Sequence, residues 1–146
     1  MEITIDKALS DLELLLHGWN YQVFLKIHRT PFVPDATPEE YIRATLGKRR
    51  AIGAIRDVTA EGLSEKVRES LTYRGDRGHG PQPEAVGSPR FDELMGVVLL
   101  YVAAKCQQST KVVEFREIPE PGIFWYFAYL FVAPEGAEIL EGASED

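Results

Sequence analysis

The chain of 146 residues has one cysteine, two methionines and three histidines, and each scarcity removes a class of chemistry. A lone thiol, Cys106, makes no internal disulfide, and at the end of an apolar segment burial raises its pKa and leaves it inert. His17, His28 and His79 share no His-x-x-x-His spacing, and no Cys-x-x-Cys occurs, so a tetrahedral metal site is not expected. Phosphate-loop, dinucleotide and Gly-x-Ser-x-Gly motifs are missing too. On these residues no catalytic group, metal or cofactor is assigned, and the expectation leans away from an enzyme.

Basic charge is also short. Sixteen Lys and Arg stand against twenty-three Asp and Glu, a net charge of −7, which disfavours nucleic acid as a partner because that binding needs basic groups to displace counterions. The longest apolar run, from Leu94 to Ala104 with Gly96 included, falls well below the ~20 residues of a membrane span. The opening MEITIDKALS carries no basic segment followed by an apolar one, so a cytoplasmic location is the expectation.

What is present reads as one ordinary globular unit. Met1 to Ile5 alternate like a short strand, and Ala8, Leu9, Leu12, Leu16 and Trp19 then follow helical spacing. From Asn20 to Arg29 the period becomes two, with Tyr21, Val23, Leu25 and Ile27 on one face and Gln22, Phe24, Lys26 and His28 on a more polar face turned to solvent. Thr37-Pro38-Glu39-Glu40 is a capping box that starts a helix, with a break expected near Gly47 or Gly53. Thr59 caps another helix, with Leu63, Val67 and Leu71 on its inner stripe.

Arg74 to Pro89 is rich in Gly and Pro, with Ala85 and Val86 its only apolar side chains, and reads as a long loop. Ser88-Pro89 opens a helix to about Gln108 that is apolar on nearly every side. Lys111 to Ile118 and Ile123 to Val132 form a β-hairpin across Pro119-Glu120-Pro121-Gly122. The last twelve residues, 135–146, hold five acids and no base, and are expected to remain a solvated acidic tail after a domain of residues 1–134.

The element order predicts an α+β domain: an antiparallel sheet of three or four strands, with the long buried helix of about 89–108 packed across it. Three groups of residues are candidates for function. Arg74, Asp76, Arg77 and His79 lie in the glycine-rich loop, where main-chain N–H groups could approach an anion. Lys48, Arg49 and Arg50 belong to a stretch of basic residues without an acid, a candidate anion site. Trp125, Phe127, Tyr129 and Phe131 share one face of a strand that is apolar on both sides, and one of those sides needs cover. The leading expectation is a non-catalytic protein-interaction module, an adaptor, chaperone-like binder or inhibitor/immunity-type partner. It would use this aromatic surface to meet a protein partner or a second copy in a homodimer. The alternative is a small-molecule-binding protein or enzyme with its pocket between the aromatic sheet and the loop 74–89.

Overall fold

A computed structural model describes residues 2–146; Met1, part of the strand-like opening, lies outside the described residues. Thr4, not a strand, begins the chain's first element: its hydroxyl accepts from Lys7 N–H and caps α1 (Ile5–Leu16). The other elements follow as β1 (Gly18–Trp19), β2 (Gln22–Thr30), α2 (Pro38–Leu46), β3 (Ile52–Asp57), α3 (Ala60–Leu71), β4 (Gly80–Pro81), α4 (Pro89–Gln108), β5 (Lys111–Glu117), β6 (Trp125–Ala133) and β7 (Gly136–Glu145).

Local chemistry sets most of these boundaries. Thr37 and Glu40 exchange the two hydrogen bonds of the capping box, an arrangement worth about 1 kcal/mol for the cap alone, and α2 ends at Gly47. Thr59 and Ser88 cap α3 and α4 by the hydroxyl bond alone, accepting from Gly62 N–H and Phe91 N–H. Beyond Gly47 the chain forms β3, an edge strand in a stretch whose glycines and charges hid its strand character.

The expected α+β architecture with an antiparallel sheet is present, but the sheet has five strands, in the order β2-β7-β6-β5-β3, where three or four were expected. The extra strands are β3 and, above all, β7. Residues expected to form a solvated acidic tail lie in the middle of the sheet, hydrogen-bonded to β2 on one side and β6 on the other. Two forces place them there. Ala137, Ile139 and Leu140 are buried, at about 1.5–3 kcal/mol for each large aliphatic side chain. The acids find partners far away in sequence: Glu138 accepts from Lys105 at 2.6 Å and from the Tyr101 hydroxyl at 2.7 Å, and Glu141 meets His28 and Arg50.

One face of the sheet packs against α1, α3 and α4, and its core holds Trp125, Phe127, Tyr129 and Phe131 together with Leu12, Leu63, Val98 and Leu140. The side of β6 expected to offer an aromatic surface is therefore the centre of the domain. Its rings stack in a row, Trp125 on Phe127 at 5.7 Å and Phe127 on Tyr129 at 5.8 Å. Gly142 lies opposite Phe127, and any side chain there would collide with that ring. The helix α4 buries Phe91, Leu94, Met95, Val98 and Val102 on one stripe and leaves Leu100 in water, so it is amphipathic rather than enclosed on most sides. The opposite face of the sheet carries a second cluster, where Tyr41 and Ile42 of α2 cover Leu130, Ile139, Val113 and Phe115. Among the described residues no helix is long and apolar enough to cross a membrane.

Because β7 bonds both neighbours, a chain ending at Pro134 should lose cooperative unfolding in urea and the near-ultraviolet signal of its packed aromatics. A truncated protein that melts within a few degrees of the full chain would contradict this placement of β7.

Candidate functional site

The helix α2 covers only part of the outer sheet face, and the strand register shows what it leaves open. Phe24, Ala143 and Tyr126 form one row across β2, β7 and β6; Lys26, Glu141 and Ala128 form the next; His28, Ile139 and Leu130 form the third, which reaches the α2 cluster. The small Ala143 at the centre of the first row leaves a depression of about 390 Å³, walled by Phe24 on one side and by Pro121 and Tyr126 on the other.

The charged end of this groove is tightly organised. His28 Nε2 lies 2.7 Å from Glu141 Oε1, and Arg50 reaches Glu141 Oε2 at 3.2 Å while also contacting Glu117. Both oxygens of Glu141 are thus engaged. Arg50, a candidate for binding an anion, is already matched by two carboxylates, whereas Lys48 and Arg49 point into solvent. The three do not converge on one ligand position, because β3 begins just beyond them and draws Arg50 onto the sheet. His28, expected to face water, is mostly buried against its partner.

Tyr126 is the unusual member. It is only 8% exposed, and its hydroxyl has no hydrogen-bond partner among the described residues. Burial, reinforced by Glu141 and Glu120 and opposed by Arg50, holds its proton well above the ordinary tyrosine range. At neutral pH the group is therefore a neutral hydroxyl, buried in a residue that lines the groove, a donor and acceptor with its bonds unmade. An unmade hydrogen bond of a buried polar group costs about 1–3 kcal/mol, and a ligand that supplies the partner gains the net worth of one hydrogen bond, about 0.5–1.5 kcal/mol.

The glycine-rich loop does bring its four candidates together. Asp76 and His79 exchange main-chain hydrogen bonds at 2.9 and 3.2 Å around Arg77-Gly78, and Asn20 donates its side-chain amide to Gly78 O at 3.0 Å. Arg74, Asp76, Arg77 and His79 line a cavity of about 340 Å³ with Trp19, which is 69% exposed. Burial of Ala85 and Val86 and the pairing of β4 with β1 dock this segment on the body. The loop does not face the aromatic row of β6 across a pocket, as the alternative expectation required. Its cavity is walled by Trp19 and prolines, and the His79 ring meets Phe124 at the sheet end at 5.8 Å. Burial, then Glu61, raises the Cys106 thiol. Among the described residues no group of three or more metal-ligating side chains is present.

The groove was partly legible in the alternation of β2, which sets Phe24, Lys26 and His28 on one face. Its remaining members, Tyr126, Ala143 and Glu141, come from strands whose faces the sequence assigned to a core or to a tail. The chain matches no protein-family model, no curated protein and no solved structure.

Buried tyrosines give this region a measurable pH signature. The Tyr21 hydroxyl accepts from Trp125 Nε1 at 2.8 Å, and burial pushes its pKa from 10.0 to about 12. A raised folded value favours the protonated form, so this contribution to stability is complete below pH 10, falls as the pH rises towards 12, and is lost above it. Tyr101, Tyr126 and Tyr129 are shifted in the same direction. Tyrosinate absorbance should therefore rise late, with a large part appearing together with unfolding. Smooth titration of all tyrosines near pH 10 in a folded protein would refute the burial of these hydroxyls.

Proposed function

We propose that this small α+β domain, which carries aromatic side chains on its surface, binds a small, uncharged, ring-bearing molecule in the groove of Phe24, Ala143 and Tyr126. The observation that carries this reading is the buried Tyr126 hydroxyl without a partner at the edge of an open, largely apolar depression. Three further features support it. Phe24 and Pro121 flank the small residues Gly142 and Ala143, a shape suited to a flat ring. Lys26 and Arg50 balance Glu141 and Glu145 in the lining, so the groove has no excess charge to attract an ion. The bonded set of His28, Glu141, Arg50 and Glu117 fixes the polar end, which makes the site preorganised.

Screening neutral aromatic fragments by amide chemical shifts tests this. Hits should move Phe24, Ala143 and Tyr126, and Tyr126→Phe should weaken them about 3- to 10-fold, the worth of one hydrogen bond. The same substitution should leave thermal stability unchanged or slightly higher, since it removes an unpaired buried hydroxyl. Fragments that bind equally well to Tyr126→Phe, or a library that leaves the groove unperturbed, would refute the reading.

A second reading, contact with a protein partner or a second copy, loses the aromatic strand as its surface but keeps one observation in its favour. Trp19 is exposed beside Arg74, Arg77 and His79, and a tryptophan next to arginines is a composition enriched at interfaces. If this surface pairs two copies, light scattering should report a dimer that Trp19→Ala converts to a monomer. A monomeric parent protein would leave self-association without support.

A further inference from the structure

The fold contains an interruption that the groove does not use. On its β5 side, β6 is paired from Tyr129 to Val132 with Lys111 to Glu114, and there the ladder stops. Both strands continue: β5 runs to Glu117 beside β3, and β6 extends back to Trp125 beside β7. Between them lies an open slot of about 540 Å³, bordered by Gly62 and Lys66 of α3, by Glu114 and Arg116 of β5, and by Glu120.

The main chain makes this slot more than a gap. The β6–β7 hairpin closes from Ala133 to Gly136 across two residues, which makes that pair directly hydrogen-bonded. By the alternation of an antiparallel ladder, Trp125, Phe127 and Tyr129 then aim their N–H and C=O groups at β7, and Tyr126 aims its own the other way. The contact from Trp125 N–H to Ser144 Oγ at 3.2 Å agrees with this direction. Continued pairing would have set Glu117 opposite Tyr126, but the β5–β6 pairs end at Glu114 and Tyr129 and the far end of β5 is paired with β3 alone, so no strand reaches the Tyr126 main chain from this side among the described residues. Of the charged side chains around the slot, Arg116 pairs with Glu120 at 3.5 Å and Glu114 with Arg56 at 3.1 Å, while Lys66 forms no ion pair among the described residues.

We propose that the slot between β5 and β6 is a strand-addition site for a short extended peptide, whose main chain pairs with Tyr126 and whose acidic side chain meets Lys66. Main-chain pairing gives such a site its affinity for any extended segment, and the single unmatched cation at its rim selects an acid. This goes beyond the ligand groove, which lies on the outer face and is read from the Tyr126 side chain.

The test uses the full chain, labelled with nitrogen-15, and an acetylated, amidated pentapeptide of alternating valine and threonine carrying one glutamate. In the free protein the Tyr126 amide should exchange with solvent much faster than those of Phe127 and Tyr129, which bond β7. Millimolar peptide should slow it about ten-fold or more, as expected when an open amide becomes paired. A peptide N-methylated at the pairing amides should give no protection, and Lys66→Glu should weaken the parent peptide by about ten-fold, the scale of one charge-assisted contact. Phe24→Ala, in the outer groove, should leave peptide protection intact even if it abolishes fragment binding. The proposal fails if the Tyr126 amide is already as protected as its neighbours, if the peptide does not slow it, or if the N-methylated peptide works equally well. Loss of peptide protection in Phe24→Ala would place the peptide in the groove and overturn the slot as its site.

Discussion

The insertion of β7 between β2 and β6 is the constraint on which the rest of the domain depends. Every residue of β2 from Gln22 to Thr30 is paired with β7, and β6 is paired with it from Trp125 to Ala133. Remove that strand and β2 has no sheet to join, while the aromatic row of β6 loses one flank. The arrangement also explains the acids near the C-terminus. Glu138 and Glu141 project from opposite faces of β7, one to Lys105 and Tyr101 on the helical side, the other to His28 and Arg50 on the outer side. Partners from α4, β2 and the turn before β3 are thus gathered around one strand.

Side-chain size along β7 follows from the same position. Gly142 makes room for the Phe127 ring, Ser144 offers a hydroxyl to the main chain of Trp125, and Ala143 lowers the floor of the outer face between Phe24 and Tyr126. A large residue at 142 would push apart the stacked rings, and one at 143 would fill the groove. Small residues here therefore serve the core on one face and open a cavity on the other.

Tyr126 lies where these two consequences meet. Its neighbours Trp125 and Phe127 point into the helical core, so strand alternation turns its own ring outward, to the edge of the area that α2 leaves uncovered. Its main chain faces the interrupted ladder and its side chain borders the groove, which makes it a lining residue of both cavities.

Local signals in the sequence determined the helices and their ends: the Thr37 and Glu40 capping box, the Thr59 and Ser88 caps, the apolar stripe of α3, and the alternation of β2 with Phe24, Lys26 and His28 on one face. These are decided within a few residues, by hydrogen bonds and periodicity that a linear reading sees. The α+β class and the antiparallel pairing of β5 with β6 follow from the order of such elements. Tertiary structure alone decided that the acidic stretch is a central strand, because its partners Lys105, His28 and Arg50 are remote in sequence. It decided likewise that Trp125, Phe127, Tyr129 and Phe131 are core rather than surface. An all-apolar strand states only that both its faces are covered, and whether helices or a partner cover them depends on packing between distant segments. The groove and the slot belong to this second category, since each is a place where long-range pairing or packing stops short, and no local pattern marks where that happens.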